Sequence, residues 1–298
     1  MRVGVVGHRG YDGLGDVLRR LTDLARRLDI RLAFETELHA LASEHEVLDD
    51  PRQVDALLTL GGDGTLLRGA RALDGCPVPI LGINLGRLGF LRSCSVDVLE
   101  AGVERLARGD FQGERRMTLD VRALDATGAE RMRWFALNDL VLHKGGFARM
   151  DTLDVAANGE SIASYSADGI VVATPTGSTA YNLSAGGPIV YPTVESIILT
   201  PISPHTMSVR PLVLPPSAEV TLRAEDGPEE LLVTVDGQVG TTFARGETLA
   251  ISRSERAVQI VRFPGTSFFA RMRLKLGWGG LIDRDERREE RVGRPQER

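Results

Sequence analysis

An α/β domain followed by an all-β sandwich is the fold class that this sequence predicts. Over residues 1 to about 110, short apolar runs of β character alternate with segments whose apolar residues recur at helical spacing. From Met117 onward the pattern changes to short β-rich segments. Asn158-Gly159, Asp226-Gly227, Asp236-Gly237 and Arg245-Gly246 punctuate those segments as hairpin turns do. At 298 residues the chain also exceeds the size at which one hydrophobic core keeps growing, so two domains are expected.

Taken in order, residues 2–7 (RVGVVG) read as a buried parallel strand, and Leu14, Val17, Leu18, Leu21, Leu24, Ala25 and Leu28 follow at helical spacing. A second unit runs from apolar Ala56–Leu60 through glycines into TLLRGARAL, and Pro79–Ile83 gives a further strand. SVDVLEAGVERLARGD (95–110) supplies a last helix that ends near Gly109. Strands separated by helices imply a parallel sheet with helices packed on it, so residues 1–116 are expected to form a Rossmann-like α/β domain. The segments MTLDVRAL, RWFALNDLVLH, TLDVAA, GIVVAT, SVRPLVL, AEVTLRA, LLVTVDG, TLAISR and AVQIVRF are assigned to a largely antiparallel β-sandwich over 117–265. TAYNLSAGG (179–187) is a short helix within it. Residues 266–282 are expected to return to the first domain. The tail 283–298 is densely charged without apolar periodicity and is expected to be disordered.

Composition removes several function classes. A hydrophobic share of 42% and a charged share of 26% suit an ordinary globular chain, and no apolar run approaches the roughly 20 residues that cross a bilayer. The start, MRVGVVGHRG, lacks the apolar stretch of a secretory signal, which points to a cytoplasmic protein. Cys76 and Cys94 have no CxxC spacing and read as reduced thiols. His8, His39, His45, His143 and His205 show no ligand spacing, so no metal site made by the protein alone is expected. A net charge of −5 gives no nucleic-acid footprint, and the partner should be a small molecule.

Four segments carry chemistry. Gly61-Gly62-Asp63-Gly64-Thr65 sits where a strand ends and a helix begins, the place where backbone N–H groups meet phosphate. Asp63 would repel that anion unless it holds a metal or takes a proton; capping the helix is the alternative. GINLGRLGFL follows the next strand on the same sheet edge, and its Phe90 would either line an adenine slot or pack in the core. Asn138-Asp139 interrupts an apolar segment, so both side chains could meet one ligand only at a bulge or strand end; a simple turn is the other reading. Finally DGIVVATPTGSTAYNLSAGGP (168–188) crowds hydroxyls after a strand, a composition suited to base and sugar recognition, or else to capping a short helix. Neither GxGxxG after the first strand nor GxxxxGK[ST] occurs.

In this order, GGDGT, GINLGRLGFL, the Asn-Asp pair and DGIVVATPTGSTAYNLSAGGPIVYP resemble the NAD kinase family across almost all of residues 1–276. GGDGT is shared with diacylglycerol and sphingosine kinases, whereas TPTGSTAY is far more specific. The resemblance implies phosphorylation of the 2′-hydroxyl of the adenosine ribose of NAD to give NADP, with ATP or polyphosphate as donor and Mg²⁺ as its companion. It makes Asp63 the proton acceptor, counts Asp63, Gly64, Arg68 and Phe90 among the NAD contacts, and places Gly61, Gly62, Gly64, Thr65 and Arg68 at the phosphate donor. Asn138 and Asp139 match the family's NAD-binding pair. Asp168, Thr179, Ala180, Tyr181, Asn182, Leu183, Ser184, Ser203 and Gln238 match further NAD contacts, and Arg149 and Ser166 contacts of some members. A homodimer or homotetramer is implied. The alternatives are a GGDGT-type lipid kinase and a non-catalytic dinucleotide-binding protein. Because no motif residue lies beyond Gln238, truncation after Ile282 should leave NADP formation and thermal stability unchanged; a large loss of either would show that the tail docks on the fold.

Overall fold

The computed structural model describes residues 1–86, 89–145, 151–206, 208–226, 230–265 and 267–278. Its first apolar run is β1 (Arg2–Gly7), paired in parallel with β2 (Arg31–Phe34) on one side and β4 (Ala56–Gly61) on the other. The chain leaves β1 through α1 (Leu14–Leu28), which buries the predicted stripe from Leu14 to Ala25, and after β2 passes α2 (Thr36–His39) to the edge strand β3 (Glu46–Val47). From β4 it turns into α3 (Asp63–Leu73) and returns as β5 (Pro79–Asn84), beside which β6 (Cys94–Ser95) makes two further parallel pairs. The helix expected over 95–110 is shorter, because residues 96–98 first form a 3-10 turn and α4 spans only Leu99–Ala107. α1 and α4 pack on one face of this sheet and α3 on the other, in separate apolar clusters.

β7 (Gln112–Leu124) and β8 (Glu130–Ala136) then pair antiparallel, and the chain crosses to a second layer at residues 137–138. The segment RWFALNDLVLH is therefore two strands, the second being β9 (Asp139–Lys144). A hairpin of β10 (Asp151–Ala157) and β11 (Glu160–Ala167) turns on Asn158-Gly159, both at positive φ as that dipeptide predicts. β12 (Gly169–Ala173) precedes the short α5 (Tyr181–Ser184), and β13 (Ile197–Ile202), β14 (Leu212–Leu214) and β15 (Val220–Asp226) follow. The hairpin of β16 (Glu230–Val235) and β17 (Val239–Ala244) leads into β18 (Thr248–Arg262) and α6 (Phe268–Leu276). The strands β2, β11, β13 and β17 go beyond the sequence expectation: β2 is only four residues long, β13 contains Pro201, β11 carries four polar residues in eight, and β17 places Gly240 and two adjacent threonines at its centre. The tail 283–298 lies outside the described residues.

One layer of the sandwich is a six-stranded sheet ordered β14-β13-β12-β9-β16-β17. The other is not a separate sheet. TLAISR and AVQIVRF are one strand, β18, whose pairing with β7 slips between Arg253 and Ala257 and so breaks the alternation that a reader would follow. β18 pairs antiparallel with β15 and β7, and through Gln259 and Ile260 in parallel with β5. The parallel sheet thus continues directly into the sandwich as one twelve-stranded sheet. The sandwich core lies between the two layers, with Leu119, Val121, Leu140, Ile170, Val233, Phe243 and Ile251 among its members.

A strand shared in this way should make the two halves unfold together. Calorimetry and far-ultraviolet circular dichroism should report one transition at the same temperature; two resolved transitions would show that the halves are energetically independent.

Candidate active site

Asp63 is the first residue of α3, with Gly62 in the capping position, so it does not serve as the helix cap. Its carboxylate reaches out to the loop after β5: Oδ2 accepts from the Phe90 N–H at 2.9 Å, and Oδ1 from the Leu91 N–H and Arg92 Nε, both at 3.3 Å. Gly89 permits this approach, since a Cβ there would come within 2.1 Å of Oδ1. Arg92 is buried, and its Nη1 donates to the Gly61 carbonyl at 3.1 Å and to the Asn84 side chain. Burial pulls the Arg92 pKa down while Asp63 opposes that shift. Arg68, on the same helix, donates from Nη2 to the Gly7 carbonyl at 2.6 Å and to Glu35 at 2.9 Å, and Glu35 in turn accepts the Gly7 N–H at 2.6 Å. Sequence reasoning missed Asn84 and Arg92, although the first lies within the GINLGRLGFL segment and the second directly follows it, and it missed Glu35, which no motif marks.

A cavity of about 590 Å³ opens on the second layer, lined in part by Asn138, Asp139, Asp168, Ala180, Tyr181 and Asp236. Asn138 and Asp139 stand where the chain crosses between layers, a strand end of the kind that lets both side chains serve one site. Asp236 holds that crossing. Its Oδ1 accepts from the N–H groups of Asn138 (2.7 Å) and Asp139 (3.1 Å), and its Oδ2 from that of Leu137 (3.1 Å). Asp236 sits at positive φ in the β16–β17 turn, a conformation that Asp tolerates better than most residues. Burial pushes its carboxyl above the usual range, against the pull of those three N–H groups. Burial, reinforced by the neighbouring Asp236 charge, pushes Asp139 up to about 7. Across the cavity Lys144 Nζ pairs with Asp168 at 2.6 Å.

In the hydroxyl-rich turn several polar side chains bond to nearby backbone. Thr174 Oγ1 donates to the Leu137 carbonyl at 2.6 Å and accepts from the Gly177 N–H, and Ser178 Oγ donates to the Pro175 carbonyl at 2.7 Å. Asn182 is fully buried, its amide donating to the Ser178 and Pro188 carbonyls at 3.1 Å while Oδ1 accepts from Thr200. A Cβ at Gly177 would lie 2.0 Å from the Asn138 carbonyl oxygen, so the turn presses directly on the Asn138-Asp139 crossing. Thr174, Ser178 and Asn182 are therefore scaffold, and the turn delivers Ala180 and the exposed Tyr181 to the cavity. Thr179 bonds back to the Thr176 carbonyl; Leu183, Ser184, Ser166 and Ser203 are not among the cavity's lining residues. Phe90 is buried, its ring 6.3 Å from that of Phe268 and under Lys275, so it packs as core. Arg149 lies outside the described residues.

Gln238 joins the two regions. Its Nε2 donates to the Gly64 carbonyl at 2.7 Å and its Oε1 accepts from Arg71 at 2.5 Å, which docks the β16–β17 turn along α3. The turn whose Asp236 and Gly237 line the cavity thus also contacts the helix that begins at Asp63.

The ATP-NAD kinase N-terminal domain model matches residues 20–111 and the ATP-NAD kinase C-terminal domain model residues 137–263. An NAD kinase from Gemmatimonas aurantiaca is 64% identical over 285 residues, covering 96% of this chain and 99% of the relative. One from Heliobacterium modesticaldum is 41% identical, covering 93% and 99%. Among solved structures, an NAD kinase from Archaeoglobus fulgidus in complex with ATP is 27% identical, with a TM-score of 0.73 over 92% of this chain and 99% of that one. Yeast NADH kinase complexed with NADH shares the fold, with a TM-score of 0.84 at 24% identity over 94% and 88% of the two chains.

With its pKa near 7, Asp139 holds a proton in the folded chain over a pH range where the unfolded chain has released it, so its contribution to stability falls as pH rises from about 4 to 7. Asp139→Asn removes that dependence. Measured by urea unfolding, the variant should gain stability relative to the parent between about pH 5 and 8; parallel curves would mean that Asp139 is ionised throughout.

Proposed function

The chain belongs to the NAD kinase family, and we propose that it transfers a phosphoryl group from ATP to the 2′-hydroxyl of the adenosine ribose of NAD, giving NADP. One observation carries the assignment of roles: a helix N-terminus suited to phosphate, bearing Asp63, is tied by Gln238 to a cavity suited to sugar, bearing Asp139 and Tyr181. In this reading NAD lies in the cavity against Asn138, Asp139, Asp168, Ala180 and Tyr181. The triphosphate lies over Gly61, Gly62, Gly64 and Thr65, with Arg68 beside it. Backbone N–H groups and guanidinium charge there neutralise the transferring group, which is most of what such a transfer requires.

Asp63 is the base in this scheme. An ionised carboxylate offers roughly four lone-pair sites, and three are taken by Phe90, Leu91 and Arg92. The site left, on Oδ2, accepts the ribose proton as the hydroxyl attacks. The cation is carried chiefly by the nucleotide's phosphates in this reading, with Asp63 the carboxylate that the donor loop itself bears. Mg²⁺, when bound, offsets charge on the phosphoryl oxygens. The reading extends to a homo-oligomer, supported by the edge strand β14 and its exposed Leu212 and Val213, and to a cytoplasmic location. Among the described residues no helix is long and apolar enough to cross a membrane. The lipid-kinase and non-catalytic readings find no support beside two ATP-NAD kinase domain models and a retained Asp63.

Asp63→Asn keeps the size and one accepting oxygen but cannot take a proton. Turnover of NAD to NADP should fall by roughly 10² to 10⁴, while NAD affinity by calorimetry changes little. Near-normal turnover in a folded variant would remove Asp63 from catalysis.

A further inference from the structure

Away from the cavity, two buried arginines and the half-buried Glu114 between them form a cluster that the mechanism above does not use. Arg262, at the end of β18, is 5% exposed, and its Nη1 donates to the carbonyls of Leu91 (3.0 Å) and Arg92 (2.9 Å). Its Nη2 lies 3.5 Å from the Phe90 carbonyl, and its Nε donates to Glu114 at 3.0 Å. Glu114 Oε1 also accepts from Arg116 Nε at 2.9 Å, and Arg116, 2% exposed, donates from Nη1 to Thr176 Oγ1 at 3.1 Å. None of these three ionic residues lines the cavity of Asp139 and Tyr181.

The geometry is two-sided. The loop at residues 90–92 offers its N–H groups and the Arg92 side chain to Asp63, and its carbonyls to Arg262. The peptide between Phe90 and Leu91 does both at once, its oxygen facing Arg262 and its N–H facing Asp63. A cation on the oxygen side polarises that peptide and fixes its plane, which fixes where the carboxylate is held. At the other end, Thr176 belongs to the turn that delivers Tyr181. Burying an arginine as fully as Arg116 costs free energy unless it is paired and hydrogen-bonded; a hydrophobic side chain would fill the same space at lower cost.

We infer that Arg262, Glu114 and Arg116 are positioning residues, a buried relay that sets the Asp63 carboxylate relative to the turn holding the acceptor. The inference rests on the role proposed above for Asp63. Arg262 acts through the loop and touches no reacting atom.

A double-mutant cycle with Asp63 tests it. Arg262→Lys keeps the charge but loses the fork that spans three carbonyls. In the parent background kcat should fall by about 10²-fold, the scale of a misplacement of about 1 Å, with KM for NAD within about twofold. In the Asp63→Asn background the same change should cost almost nothing, because the carboxylate it positions is already disabled. Equal losses in both backgrounds, or a loss confined to KM, would overturn the relay and leave Arg262 as fold support. Full turnover in Asp63→Asn alone would instead overturn the role of Asp63, a result visible before the cycle is closed. Should Arg262→Lys not fold, Glu114→Gln, which keeps shape and an accepting oxygen, carries the same cycle with the same two outcomes.

Discussion

The donor-loop side of the site is registered against the backbone hydrogen bonds of β18. That strand takes β7 as an antiparallel partner along most of its length, β15 as one over Thr248–Ile251, and β5 as a parallel partner near its end. A one-residue slip would turn its alternate side chains to the wrong face, and it would also move Arg262 away from the loop that follows β5. The sheet therefore does more than bury Ile251 and Ile260. It sets the distance between the loop around Asp63 and the sandwich that carries Asp139.

The molecule meets its shielded carboxylates in two ways. Asp63 and Asp236 each accept at least two backbone N–H groups, fixed dipoles that stabilise negative charge, and Arg92 adds a cation at Asp63. Glu114 is held by cations instead, between Arg116 and Arg262. Backbone donors leave the carboxylate face toward ligand open, whereas an arginine pair closes it. The first arrangement stands at the cavity and beside the donor loop, and the second away from both. Asp139 has neither full set, which is why burial beside Asp236 raises it so far.

The Asp236 carboxylate also explains why the crossing at residues 137–138 is stable. Three consecutive N–H groups leave β8 without ladder partners as the chain changes layers, and one side chain from a different hairpin takes all three. Gly177 and Thr174 close the crossing from the other side. An unsatisfied buried N–H there would cost about 1–3 kcal/mol, so the hairpin turn is part of the scaffold as well as part of the cavity wall.

Periodicity and local turn chemistry were enough to determine the α/β start, the β-rich remainder, the helix stripe of α1 and the turn at Asn158-Gly159, while the family was legible through the resemblance that GGDGT and TPTGSTAY carry. Asp63 and the Asn138-Asp139 pair were legible because polar residues at strand ends need a reason. What remained hidden depends on partners far away in the chain. Asp236 looked like a hairpin residue until its carboxylate met residues 137–139, and Arg262 looked like the end of a strand until its guanidinium met residues 90–92. Composition does not say which side of a backbone a side chain takes; only packing decided that Asn182 faces inward and Tyr181 outward. Sequence spacing encodes local geometry, and a hydrogen bond between residues 171 positions apart, such as that from Arg262 to Leu91, exists only once the sheet has closed the distance.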